Sequence, residues 1–412
     1  MMKKRLAALC LALMAVTAPA LAAPKPEIEA GFRRFLEGEI WPEARINGVS
    51  RATFDAAFRG VEPNLSLPDL QLPAQKPKVE EVNRQAEFQS PAAYFDEKKI
   101  AGVVAKGRAL LQANGALLQR IERETGVPGP IVLAVWGRES GYGAAKIPYN
   151  AFEVLGTKAY LSRRKDMFRA ELIAALKIVQ EGHLKVSDMK SSWAGALGQP
   201  QFMPSKFRAL AVDEDGDGRP DIWNSVPDTL ASIAHYLQMS GWQRGRPWGY
   251  EARFPAGVSC TGEGPDRPRP IADFAKAGVA RASSRAFPEA ELKRPGHLLM
   301  PAGRLGPAFV ATPNFYVIKE YNNSDLYALF IGHVADRIAG GGGFDARWPG
   351  ASGLTRGDVS RLQERLQKQG YDVGGTDGLA GFKTRRSIGQ AEEKLGLPAT
   401  CWPTPALAKK LG

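Results

Sequence analysis

The segment Ile131-Val132-Leu133-Ala134-Val135-Trp136-Gly137-Arg138-Glu139 constrains this chain more than any other. Residues three, four, seven and eight apart share a helix face. For Glu139 those neighbours are Trp136, Val135, Val132 and Ile131, all apolar. A helix here therefore sets one carboxylate on a face that a core must cover. Pro130 suits its first turn, and Gly141-Tyr142-Gly143 ends it. Burial disfavours the charged form of a carboxylate, the condition for a general acid near neutral pH. The two glycines also leave space for a polymer to approach closely. A helix end with Glu139 in solvent and Gly141 as a cap is the plain alternative on this segment alone.

The rest of the chain is organised around helices. Phe32, Phe35, Leu36 and Ile40 predict a first helix, and Thr53, Phe54, Ala57 and Phe58 a second. Pro63 to Pro77 is proline-rich and reads as extended surface chain. Apolar periodicity runs from Phe95 to Glu124, with Asn114-Gly115 as a break. Glu171 to Glu181 is a helix stopped by Gly182, and Asp228 is read as the N-cap of a helix reaching Gln238. Residues 245–320 turn rich in Pro and Gly, with strand-like pieces at Phe309-Val310 and Phe315-Tyr316-Val317-Ile318. Asp325 to Ile338 returns to helix, and Gly340 to Gly343 reads as a flexible linker. A chain of 412 residues has room for two or three domains. The division that follows is a leader at 1–22, one large domain at 23–342 and a small helical module at 353–412. The fold class is mainly α (α+β).

The leader rests on Lys3, Lys4 and Arg5, the apolar run Leu6 to Val16, and an A-x-A site at Ala20 to Ala22. This is the pattern of a cleaved signal peptide, too short to be a stable membrane span. Acylation at Cys10 is disfavoured because Leu9 is bulky where a small residue is usual. Removing the leader takes three positive charges from the net +12 and leaves about +9. Such a balance suits an acidic partner, and export excludes nucleic acid from that role. Cys260 and Cys401 then remain. An oxidising compartment permits a disulfide, but their placement in different domains weighs against pairing.

Two further segments carry chemistry. Ser191 to Pro204 sets small residues around Trp193 and Phe202 with the amides Gln199 and Gln201. It reads as a sugar-lining wall, or else as a tightly packed loop. Asp213-Glu214-Asp215-Gly216-Asp217-Gly218-Arg219 starts like a calcium-binding EF-hand loop: carboxylates at Asp213, Asp215 and Asp217, Gly218 for the turn, and the Arg219 carbonyl. The usual acidic twelfth position is Asn224, so Asp228 would have to reach back. The alternative is an acidic Gly-rich turn stabilised by its own backbone bonds.

The order of these motifs resembles the lytic murein transglycosylase B family over about residues 27–340. E-S-G-Y-G at 139–143 is followed by G-A-L-G-Q-P-Q-F-M-P-S at 195–205. Tyr94 stands in A-Y-F-D, Arg163-Arg164 in L-S-R-R-K-D, and D-G-D-G-R-P-D-I-W-N spans 215–224. His235-Tyr236-Leu237 and Tyr321-Asn322 follow in order. The resemblance implies a lysozyme-like helical fold with Glu139 as catalytic acid/base. The bond cut would join N-acetylmuramic acid to N-acetylglucosamine, leaving a 1,6-anhydro sugar. It further implies that Ser192, Gln201, Tyr236, Tyr321 and Asn322 line the cleft and that Tyr94 sits near Glu139. Arg163 and Arg164 become candidates for peptide or lactyl carboxylates, which a planar guanidinium suits. Leu197 departs from a frequent Met, and Gln199-Pro200 from the more usual aromatic-Gly. Residues 353–412 resemble a three-helix peptidoglycan-binding domain. Asp377, Gly378, Gly381 and Thr384 keep its turn motif, and Phe382 stands where Pro is common. The implied protein is a periplasmic monomer acting on peptidoglycan strands, with no required cofactor and a structural calcium at most. A hydrolytic muramidase and a non-catalytic wall-binding protein are the alternatives.

Overall fold

The computed structural model describes residues 25–73, 91–350 and 352–411. The expected leader at 1–22, with Cys10, and the proline-rich stretch beyond residue 73 lie outside them. The helix Gly129–Ser140 runs through the middle of the main core, and every residue from Ile131 to Gly137 is buried. Helices Glu97–Ala113, Val226–Met239 and Asp325–Ile338 pack around it. A helix apolar on all sides has to be enclosed in this way. A second pair, Ala151–Leu161 and Lys165–Gln180, packs lengthwise and supports the loop that follows.

Local chemistry sets the ends of these helices. Asp96 accepts from the Lys99 N–H, Asn150 from Phe152 and Glu153, and Ser324 from Tyr327. The predicted break falls between Glu97–Ala113 and Gly115–Thr125. Two readings change. Phe315 to Ile318 belongs to a helix, Pro313–Tyr321, because Thr312 caps it and Pro313 occupies its first turn. Ser225, not Asp228, caps Val226–Met239; Asp228 lies inside the first turn.

The region after 245 builds a small antiparallel sheet. Its strand order is Arg269–Pro270, Pro295–Leu299, Phe309–Ala311, Gly249–Arg253, Ala280–Arg281. Its register pairs Tyr250 with Val310 and Leu298 with Val310. Ile271, Phe274, Leu298 and Val310 form a second core with Cys260, and Cys401 of the C-terminal module enters the same cluster.

That module has helices Arg356–Lys368, Phe382–Lys394 and Pro405–Lys410 around Leu362, Leu366, Ile388 and Leu407. It is docked rather than loosely tethered. Cys260 and Cys401 form a disulfide across the boundary, contrary to the expectation from sequence. Arg385 grips Glu263 with two bonds, at 2.9 and 2.6 Å, and reaches Asp325 at 2.8 Å. Arg386 pairs with Asp266. The Gly340 to Gly343 stretch is exposed, but the chain is pinned directly after it. Phe344 stacks on His333 at 3.8 Å, and Trp348 on Phe95 at 4.7 Å.

Burial raises the Asp325 carboxyl, but Lys319 and Arg385 outweigh that and bring it down to about 2. Its contribution is present above the unfolded value near ~4 and is lost as pH falls through the folded value. Substituting Arg385→Met should cost about 3–5 kcal/mol by urea unfolding at neutral pH. The reason is that Glu263, with none of its surface exposed, loses its partner.

Candidate active site

Glu139 stands in the last turn of its helix, half-buried beneath the surface, with Trp136 one turn before it. The Tyr327 hydroxyl donates to Glu139 Oε1 at 2.5 Å. Tyr327 is on Asp325–Ile338, is 1% exposed, and is set by the Ser324 cap at the start of that helix. Its burial, then the Glu139 carboxylate, push the phenol well above its usual range. It therefore stays protonated and donating throughout the neutral range. Tyr327 lies parallel to Tyr321 at 6.5 Å, and Tyr321 meets Tyr236 at 4.7 Å. Phe202 packs on both Tyr236 and Tyr321. These rings form a continuous aromatic wall leading to the carboxylate. On another side the Arg138 guanidinium lies over the Tyr94 ring at 5.0 Å.

The backbone after Glu139 is unusual. Gly141, Tyr142 and Gly143 all have positive φ, at 59°, 62° and 77°. The Tyr142 hydroxyl donates to the Val103 carbonyl at 2.8 Å, which anchors the turn. A Cβ at Gly143 would lie 2.4 Å from Gln199 Oε1. That glycine is required by handedness and by the Gln199 side chain, where the sequence suggested room for a polymer. The loop Leu197–Phe202 closes on itself through paired backbone bonds of 2.7 and 3.0 Å. It carries Gln201 at φ 56°, with Nε2 donating to the Gly198 carbonyl.

The structure thus gathers Glu139, Tyr94, Tyr236, Tyr321 and the loop bearing Gln201. Asn322 directly follows Tyr321, and the Ser192 hydroxyl accepts from Ala194 and Ala196 N–H groups, shaping its own turn. Arg163 and Arg164 are exposed, and Arg164 lies over the Phe168 ring at 5.3 Å. No hydrogen bond or ion pair among the described residues joins either arginine to the Glu139 cluster. Tyr327 was not singled out in the sequence, because it sits in an apolar stripe that reads as core. A tyrosine on such a stripe needs a partner for its hydroxyl, and that was the available signal.

In the acidic loop, Asp213, Asp215 and Asp217 bring carboxylate oxygens within 4.8 Å of one another. Asp213 accepts from Gly216 and Gly218 N–H groups. Arg219 donates its backbone N–H to Asp217 and pairs loosely with it. Asp228 has a different task from the one expected: fully buried, it accepts from the backbones of Glu214, Asp215 and Asp221. It anchors the loop from below and is not one of the three converging carboxylates.

A cleft of about 750 Å³ opens between the main domain and the C-terminal module. Lys319, Ser324, Arg356, Asp377, Phe382 and Trp402 are on its walls. Glu139 is not on them, but Leu326 is, next in sequence to Tyr327.

A buried helix ending in one carboxylate, held by a tyrosine from a neighbouring helix and packed beside clustered aromatic rings, defines a lysozyme-like domain. The chain belongs to the transglycosylase SLT family: the "Transglycosylase SLT domain" matches residues 31–336. The "Putative peptidoglycan binding domain" matches residues 355–411. Membrane-bound lytic murein transglycosylase B of Escherichia coli (strain K12) is 28% identical over 229 residues. That match covers 54% of this chain, and the chain spans only 60% of that relative's length. A crystal structure of SltB3 from Pseudomonas aeruginosa with NAG-NAM-pentapeptide is 38% identical, with a TM-score of 0.83. It covers 92% of this chain and 99% of that one. The same protein with NAG-anhNAM-pentapeptide gives 36% and 0.79 at the same coverage. Escherichia coli SLT35 in complex with calcium shares the fold at 22% identity, with a TM-score of 0.57 over 77% of this chain and 94% of that one.

Substituting Gly143→Ala adds a methyl where Gln199 already sits and where φ is +77°. The expected loss is about 1–3 kcal/mol, read as a lower urea midpoint with an unchanged slope.

Proposed function

We propose that this chain is a lytic transglycosylase, a carbon–oxygen lyase that cuts peptidoglycan between N-acetylmuramic acid and N-acetylglucosamine. The observation that carries this reading is the Tyr327–Glu139 hydrogen bond at the end of a buried helix. Glu139, protonated, gives its proton to the glycosidic oxygen as the bond to the muramoyl anomeric carbon breaks. The muramoyl 6-hydroxyl attacks that carbon, and Glu139 takes the hydroxyl proton back. One carboxylate serves as acid and then base. Ordinary glycosidases use two because water must be activated or a covalent intermediate formed. An intramolecular hydroxyl is already in place, which substitutes for the second group. Tyr236 and Tyr321, backed by the buried Phe202, are assigned to the wall of the sugar cleft, and the Gln201 loop and Asn322 to the acetamide groups. Ser192 shapes the turn that leads into that loop. Arg163 and Arg164, exposed and cationic, are assigned to peptide carboxylates at the edge of the substrate.

The module at 353–412 is assigned to wall binding. The cleft it shares with the main domain offers aromatic surface from Phe382 and Trp402 and cations from Arg356 and Lys319. The leader pattern at 1–22 and this substrate support assigning the chain to the periplasm, and we assign it as a monomer. Among the described residues, no helix is long and apolar enough to cross a membrane.

The three converging aspartates are oxygen donors of the type that calcium takes. Asp213, Asp215 and Asp217 would hold it, with the Arg219 carbonyl. Calcium there would offset the repulsion of three carboxylates and takes no part in the proton transfer. The role is structural.

The central test is Glu139→Gln, which keeps shape and removes the acid. Release of soluble products from purified sacculi should fall at least about a hundredfold. Tyr327→Phe, which leaves the ring and removes the donor, should fall about tenfold, in line with a charge-assisted bond of roughly 1.5 kcal/mol. Wild-type release by Glu139→Gln would sink the assignment. For the loop, adding calcium should raise Tm by about 2–4 °C, and Asp217→Asn should abolish that rise.

A further inference from the structure

We infer that Gln199 is a positioning residue that fixes the end of the Glu139 helix against the loop carrying Gln201. The inference rests on Glu139 being the acid/base. Gln199 stands where the resemblance leads one to expect an aromatic residue, so its role has to be read from its own contacts.

Those contacts span three segments. Gln199 Oε1 accepts from Trp136 Nε1 at 2.9 Å, and Nε2 donates to the Trp223 carbonyl at 2.9 Å. The backbone N–H of Gln199 donates to the Ile222 carbonyl, also at 2.9 Å. The amide has no freedom to flip. An indole N–H can only donate and a carbonyl can only accept, so each end of the amide has one permitted partner. Trp136 precedes Glu139 by three residues, so the two share a helix face one turn apart. Its ring is 3% exposed and meets Tyr142 edge-on at 5.5 Å. Tyr142 is the middle residue of the left-handed turn that ends the helix. Gly143, the last residue of that turn, faces Gln199 Oε1 at a distance that leaves no room for a Cβ.

The side chain of Gln199 therefore touches both the last turn of the helix and the turn that stops it. Through Trp223 it is tied to the segment capped by Asp221, which Asp228 holds in turn. Tyr327 fixes the Glu139 carboxylate from another helix; Gln199 fixes the backbone that carries it. Loss of this clamp lets the carboxylate shift relative to a bound glycan. A small misplacement of a proton donor lowers the chemical step and leaves binding nearly intact.

The test is steady-state kinetics on soluble, uncross-linked glycan strands. The variants are Gln199→Met, Trp136→Phe, the two combined, and Glu139→Gln. Met keeps the length of Gln without its hydrogen bonds. Phe keeps an aromatic ring against Tyr142 without the N–H. We expect each single variant to lose about tenfold in kcat with KM within about twofold. The combined variant should be no slower than Gln199→Met alone, because the bond that Trp136→Phe removes is already lost there. Circular dichroism shows which variants fold; if Gln199→Met does not, Trp136→Phe carries the kcat and KM comparison alone. A raised KM with kcat intact would overturn the inference, placing Gln199 on the substrate. So would wild-type kcat in a folded single variant, or losses that multiply in the combined one. An inactive Glu139→Gln beside a fully active Gln199→Met would defeat this inference alone. Full activity in Glu139→Gln would defeat the acid/base assignment and this inference with it.

Discussion

The bond between the Tyr327 hydroxyl and the Glu139 carboxylate joins two helices that share almost no solvent. Much of the main domain can be understood as what is needed to hold it. The helix Gly129–Ser140 is buried along Ile131 to Gly137 as it runs through the core, yet ends in the half-exposed carboxylate of Glu139. The left-handed turn at 141–143 makes that ending abrupt. The Ser324 cap fixes where Asp325–Ile338 begins, and so where Tyr327 falls. A charge-assisted hydrogen bond in partly buried surroundings is strong, but an unpartnered group there is costly. The geometry is therefore specified from both helices.

The second constraint comes from Arg385, 60 residues beyond Asp325 in sequence but bonded to it. Asp325 is in the first turn of the Tyr327 helix and binds Lys319 and Arg385. Arg385 belongs to the C-terminal module and also fills the buried Glu263 site. The module is therefore coupled to the start of the helix that holds the acid. The disulfide ties the module to the sheet region at Cys260, and Phe344 and Trp348 pin the chain leading into it against Phe95. This arrangement gives the wall-binding module a fixed bearing on the site.

Local patterns were legible in the sequence, and long-range pairings were not. The periodicity around Glu139 identified the helix, its burial and its polar end. The Asn114 break was visible for the same reason. Phe315 to Ile318 misled because a short aromatic and β-branched run reads as a strand. The cap at Thr312 and the proline after it decided otherwise. Asp228 misled because Ser225 lies three residues before it, and either could cap a helix; the buried carboxylate serves the loop. The partners of Glu139 and Glu263 are 188 and 122 residues away, and no spacing rule reaches that far. Cys260 and Cys401 were separated by a domain boundary that docking erases.

The identity of the nucleophile, the sugar's own hydroxyl or water, separates a lytic transglycosylase from a hydrolase. Digesting purified sacculi with the full chain in ¹⁸O-labelled water, and weighing the soluble products by mass spectrometry, asks this directly. The prediction is 1,6-anhydromuramoyl ends carrying no label. Reducing ends with one ¹⁸O per cleavage would show that water attacks, and would make the protein a hydrolytic muramidase instead.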